Sequence, residues 1–225
     1  MKYSIRLLRI VGIDIGVHYT WLFIFSLVTW SLAEGYFPQV YEGWETSTYW
    51  IAGVVGGLML FVSVLLHELA HSLVARARGM SVSSITLFLF GGVSNLAEEP
   101  KKPSIEFFMS ILGPASSLAL AGVFWGLFQL VGDDESPPAA VLAYLALINA
   151  LLAAFNLLPG FPLDGGRVLR SIIWGYNRQS GKVNQYCRHH RAVIRLGPRL
   201  FRPIAAVSRC LSGRYLDYLH RLVPE

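Results

Sequence analysis

Long apolar runs alternate with short polar joints along this chain. Four runs, at about 17–37, 51–75, 105–131 and 139–158, come close to the roughly 20 apolar residues that a helix needs to cross a bilayer. Trp21, Trp30 and Tyr36 on the first are candidate interface anchors, and Glu34 sits near its end. Residues 82–97 differ in kind. Val82 to Phe90 is rich in β-branched and aromatic residues, Gly91-Gly92 interrupts it, and Val93 to Leu96 resumes. That pattern predicts two short strands around a turn. Too short to span as a helix, such a segment must be covered by protein or reached by water. The expected fold is therefore a mostly α, polytopic membrane protein of about four transmembrane helices with a small membrane-associated β-sheet.

Composition agrees with this. Of 225 residues, 54% are hydrophobic and 15% charged, against roughly a quarter charged in soluble domains. The formal net charge of +5 is not spread along the chain. Residues 1–175 carry 9 Lys/Arg and 12 Asp/Glu, whereas residues 176–225 carry 10 and 2. The basic excess is confined to one tail, so no nucleic-acid partner is expected. Cys187 and Cys210 both lie in that tail and form no Cys-rich metal pattern.

Loop charges predict an orientation. Lys2, Arg6 and Arg9 precede the first run, Arg76 and Arg78 follow the second, Lys101 and Lys102 precede the third, and Arg167 and Arg170 follow the fourth. The other two joints hold Glu42 and Glu45, then Asp133, Asp134 and Glu135, without Lys or Arg. The positive-inside rule places the N-terminus and the C-terminal end of the second helix in the cytoplasm. Arg167 and Arg170 are expected at the cytoplasmic face or lipid headgroups. No small-residue cleavage site follows the basic N-terminus, so the first run reads as a retained helix rather than a signal peptide.

Chemistry concentrates in His67-Glu68-Leu69-Ala70-His71. Residues four apart share one helix face, one turn apart, so both imidazoles can reach one ion. A carboxylate beside the first His can reach water on that ion, whose pKa zinc lowers to about 7. This is the physical logic of the H-E-x-x-H pattern in zinc proteases. Each charged group at the centre of a membrane helix costs about 2.5–3.5 kcal/mol, which argues against an idle cluster.

A catalytic zinc site uses three protein ligands and one open position. Asp164 lies in the broken segment Asn156-Leu157-Leu158-Pro159-Gly160-Phe161-Pro162-Leu163-Asp164-Gly165-Gly166-Arg167. Spacing alone leaves two readings of it open, an inward-turned ligand and a cap on the following helix. His18, at the start of the first run, reads more readily as an interfacial residue.

The order and spacing of these motifs resemble the site-2 protease family of zinc intramembrane metalloproteases. The resemblance rests on His67 to His71, Phe90-Gly91-Gly92-Val93, Gly113-Pro114-Ala115-Ser116 and Asn156 to Arg167. Ser4-Ile5-Arg6-Leu7 with Gly12-Ile13 and His18 agree as well. It covers about residues 1–174, the expected metalloprotease core. It implies one Zn2+ per chain held by His67, His71 and Asp164, with Glu68 as catalytic base and Asn156 as a polar group near the site. Asn156 could hold substrate or the developing oxyanion, or satisfy backbone freed at the helix break. The resemblance also implies that the Gly91-Gly92 sheet pairs with an unwound substrate. The implied substrates are single-span, membrane-anchored regulators, cut within or near the bilayer of the cell membrane. The sequence is silent on oligomeric state.

The rivals are a metal-ion transporter using the same ligands and a catalytically impaired scaffold that binds membrane segments. Residues 176–225 depart from the family pattern, with abundant Arg and no clear amphipathic period. A lipid-binding basic tail, a disordered tail and a stretch translated out of frame are the three readings of it. The abrupt compositional break favours the last.

Overall fold

The computed structural model describes residues 4–88, 91–96, 100–160 and 162–177. The basic tail beyond Asn177 and its two cysteines lie outside the described residues.

Among the described residues, three helices are long and apolar enough to cross a membrane: α3 (Thr46–Ala77), α4 (Pro103–Val131) and α5 (Pro137–Asn156). Much of their outer surface is apolar and exposed, including Val62, Leu118, Trp125, Leu147 and Phe155, as lipid contact requires. The first run is built differently from the expected single helix. It forms α1 (Thr20–Ser31), a π-helical segment at Leu32–Tyr36 and a short α2 (Phe37–Val40). Pro38 has no N–H to give to the turn before it, and the wider π turn absorbs that break, with Phe37 N–H reaching back to Leu32 O.

The membrane helices meet closely at small residues. A Cβ on Gly53 would stand 2.9 Å from the Thr29 carbonyl oxygen, so α3 and α1 approach at a distance that only glycine allows. Beside this contact, Leu32, Phe37, Ala52, Ala140, Val141, Tyr144 and Leu145 form one core cluster. Asn149 on α5 and Ser63 on α3, both fully buried, are joined by a 3.1 Å hydrogen bond.

Among the described residues the sheet has four strands in the order β1-β2-β3-β4. β3 (Val82–Phe88) and β4 (Gly91–Leu96) are antiparallel, as the sequence indicates. Gly91 and Gly92, however, lie within β4, opposite Phe88 and Leu87, rather than in the turn. The N-terminal segment adds a hairpin that the charge pattern had concealed. β1 (Ser4–Ile10) and β2 (Ile13–His18) are antiparallel, and β2 runs parallel to β3 with Ile15 opposite Ile85. Arg6 and Arg9 accordingly pair with Asp14 at 2.8 and 3.4 Å.

Alternation turns Ile13, Ile15 and Ile85 to one side, where all three are fully buried. Ile13 and Ile85 cluster there with Leu69, Ala75, Val82 and Met109. The sheet therefore packs on the last turns of α3, beside His71. The Arg76 guanidinium also hydrogen-bonds the Val11 carbonyl at the tip of the β1–β2 hairpin.

Candidate active site

His67 and His71 lie one turn apart on the buried face of α3. Each ring is oriented from α4. His67 Nδ1 is 2.8 Å from Ser117 Oγ, and His71 Nδ1 is 2.6 Å from the Met109 carbonyl oxygen. A carbonyl can only accept, so His71 carries its proton on Nδ1 and presents Nε2 to the site.

Gly113 stands between these two partners. Met109, Gly113 and Ser117 recur every fourth residue and so form one face of α4. A Cβ at Gly113 would overlap the His71 ring and stand 2.9 Å from His67 Nε2. Glycine at this position lets the α4 backbone approach both rings.

The third group comes from the break after α5. Leu163 N–H bonds the Gly160 carbonyl at 2.9 Å, and the chain then enters α6 (Asp164–Asn177). A Cβ at Gly165 would overlap the Leu157 and Leu158 carbonyls, so the turn closes tightly on the end of α5. Asp164 thereby reaches the histidines from some ninety residues downstream. Its Oδ2 is 3.2 Å from His67 Nε2 and 3.1 Å from His71 Nε2, and the two Nε2 atoms are 3.2 Å apart. All three residues are buried. Burial alone would raise the Asp164 carboxyl, but its hydrogen bonds to the two imidazoles outweigh that and hold it at about 2.

Three donor atoms so close, with a carboxylate among them, require shared positive charge. The triangle fits zinc. Tetrahedral zinc with bonds of roughly 2.0–2.1 Å sets its ligand atoms about 3.3 Å apart. Two imidazole nitrogens and one carboxylate oxygen, with both Nδ1 atoms engaged from behind, are a donor set such an ion accepts.

Glu68 is half-buried beside His67 and lies under β4. A Cβ at Gly92 would overlap the Glu68 side chain, so the β4 backbone passes directly over it. The two glycines singled out from sequence thus act at different places. Gly92 touches Glu68, while Gly91 pairs with Phe88 at the start of the strand. Asn156, the last residue of α5, donates to the Leu152 carbonyl of its own helix at 2.9 Å. His18 is 2.9 Å from Thr20 Oγ1 and is not part of the triangle.

Arg170 departs from expectation. Instead of facing headgroups, it pairs with Glu106, whose side chain is fully buried on α4. Gly113 enters the sequence reading only within the Gly113-Pro114-Ala115-Ser116 motif, and Met109, Ser117 and this ion pair carry no sequence signal of a site.

Comparison with known proteins agrees with the geometry. The model of peptidase family M50 matches residues 55–133 and 134–197. Rip3 of Mycobacterium tuberculosis, which carries a zinc metalloprotease name, is 45% identical over 176 residues, covering 77% of this chain and 44% of that protein. The zinc metalloprotease MJ0392 of Methanocaldococcus jannaschii is 37% identical over 180 residues, covering 78% and 48%. The chain thus spans about half the length of the curated relatives it matches. A solved site-2 protease from Methanocaldococcus jannaschii aligns with a TM-score of 0.52 at 33% identity, covering 78% of this chain and 74% of that one. With three helices among the described residues long and apolar enough to cross a membrane, and a metal-competent cluster, this integral membrane chain belongs to peptidase family M50, the site-2 protease family of zinc metalloproteases.

Proposed function

We propose that this chain is the core of an intramembrane zinc endopeptidase that hydrolyses a peptide bond within or near the transmembrane segment of a membrane-anchored regulatory protein. The observation that carries this reading is the convergence of His67 Nε2, His71 Nε2 and Asp164 Oδ2 within 3.2 Å of one another. The residues would hold one zinc ion, which supplies Lewis-acid polarisation of the scissile carbonyl and of the attacking water. Glu68 takes a proton from that water as its oxygen bonds to the carbonyl carbon. The same carboxyl returns the proton to the leaving nitrogen as the C–N bond breaks.

β4 lies at one edge of the described sheet and crosses Glu68 at Gly92. An extended substrate stretch adding to that edge by backbone hydrogen bonds would lie beside the base. The substrate helix must unwind first, because helical amides are already hydrogen-bonded. The charge pattern supports an N-terminus and a His71 end of α3 that face the cytoplasm.

The test uses the purified chain in detergent or liposomes with a model single-span substrate. Cleavage within the span, abolished by a zinc chelator and by Glu68→Gln, is expected. Equal cleavage by Glu68→Gln would sink the mechanism. Metal-ion flux without cleavage would favour a transporter, and metal binding with neither a scaffold.

A further inference from the structure

The Glu106–Arg170 pair lies where α6 packs on α4. Glu106 has no exposed surface, whereas the Arg170 side chain is 25% exposed. Arg170 Nε donates to Glu106 Oε1 at 2.7 Å, and a terminal guanidinium nitrogen donates to the same oxygen. Glu106 Oε2 is buried without a described hydrogen-bond partner. A carboxylate in that setting depends on its counter-charge, so parting the two groups is costly.

This pair sits between two parts of the site. Arg170 is six residues into the helix that opens with Asp164, about 9 Å along its axis at roughly 1.5 Å per residue. Glu106 lies three residues before Met109, the residue whose carbonyl orients His71. One stretch of α4 therefore holds a histidine from one side and the helix bearing Asp164 from the other. Asp164 follows a joint containing Pro159, Gly160 and Pro162 that closes on the end of α5 at Gly165, and the Glu106–Arg170 contact ties α6 to α4 further along the same helix.

We propose that Glu106 and Arg170 are positioning residues. Their ion pair sets the register of α6 on α4 and so places Asp164 Oδ2 against the two Nε2 atoms. This inference rests on the reading of His67, His71 and Asp164 as metal ligands. It assigns the pair a role in metal geometry, separate from any contact with substrate.

The test uses the full chain in detergent micelles. Zinc affinity is measured by competition with a chromophoric chelator, and ligand geometry by visible absorption of the Co2+-loaded protein. Helix content is followed by circular dichroism. Arg170→Gln and Glu106→Gln are expected to lower zinc affinity by about 10–100-fold. Both should shift the cobalt spectrum toward that of Asp164→Ala, with helix content unchanged. Arg170→Lys, which keeps the charge but not the two-pronged contact, should recover part of both signals. Wild-type affinity and spectrum in Arg170→Gln and Glu106→Gln would overturn the inference. A fall in affinity that tracks loss of helix content, with Arg170→Lys no better than Arg170→Gln, would also overturn it and leave a purely structural pair. If Asp164→Ala binds zinc as tightly as wild type, the ligand assignment itself fails and the inference goes with it.

Discussion

Ser117 Oγ lies 2.8 Å behind His67 Nδ1, so a residue of α4 fixes the ring that faces Asp164 from α3. If Nε2 binds the metal, Nδ1 carries the proton and donates it in a hydrogen bond to the hydroxyl oxygen. Second-layer partners of this kind typically govern metal affinity by 10–100-fold. Ser117→Ala is expected to weaken zinc binding by about that factor while the protein stays folded. Chelator competition with the purified variant measures it, and unchanged affinity would show that His67 is held by packing alone.

Gly113→Ala tests the close approach of α4. Its methyl group would overlap the His71 ring and press on His67 Nε2. Alanine suits a helix better than glycine by up to about 1 kcal/mol, so helix propensity does not oppose the change. The expected result is a folded protein that has lost tight zinc binding and cleavage together. A variant that binds zinc as wild type does would mean that α4 can retreat from the rings at little cost.

Gly92→Ala acts on the other side of the site. Its Cβ would strike Glu68 and none of the three candidate ligands. The variant should therefore separate the two activities, with cleavage lowered at least tenfold and zinc affinity within about twofold of wild type. The tenfold loss corresponds to about 1.4 kcal/mol of displaced transition-state stabilisation. Equal losses in both measurements would place Gly92 in the support of the metal site instead.

What could be read from the sequence depended on how locally each feature is encoded. His67 and His71 were legible because four-residue spacing by itself places two side chains on one helix face. Asp164 was only half legible, since its approach depends on a broken joint whose direction spacing does not encode. Met109, Gly113 and Ser117 repeat at the same four-residue interval, but their meaning appears only once α4 is known to lie against α3. The β1–β2 hairpin escaped notice because its turn is atypical. Ile10 pairs with Ile13 around Val11 and Gly12, both with positive φ, at 47° and 74°. Such a turn normally advertises itself through Asn-Gly or Asp-Gly, and a β-branched Val at its first position gives no such signal. Arg170 was misread because a charge near a membrane end suggests solvent, and its buried partner lies 64 residues upstream.

The alignments with the quoted relatives cover 77–78% of the chain, and the described elements that build the site end at Asn177. The family model itself matches through residue 197. Reading the nucleotide sequence around codon 176 tests the out-of-frame interpretation of the basic tail. The expected outcome is an apolar reading frame one base later, and its absence removes the idea.

Asn149 and Ser63 offer a test of what holds α3 and α5 together at membrane depth. Asn149 Nδ2 donates to Ser63 Oγ at 3.1 Å and to the Leu145 carbonyl at 2.8 Å, while Ser63 donates to the Met59 carbonyl at 3.0 Å. Asn149 Oδ1 is buried without a described hydrogen-bond partner. Polar contacts between membrane helices contribute about 0.6 kcal/mol on average and up to roughly 1.7. Removing one partner strands the other, so Ser63→Ala alone should destabilise the protein by about that range. Changing Asn149→Leu as well removes both the stranded amide and the orphaned oxygen, and should restore much of the loss. Reversible unfolding in bicelles measures all three proteins. If the double variant is less stable than Ser63→Ala, Asn149 is held by interactions beyond this pair. His67 lies one turn beyond Ser63, so the same variants show whether the polar contact between α3 and α5 also sets zinc affinity. The His67 ring is held instead by Ser117 on α4, so zinc affinity should stay within about twofold of wild type in all three, well short of the 10–100-fold cost of losing a second-layer partner.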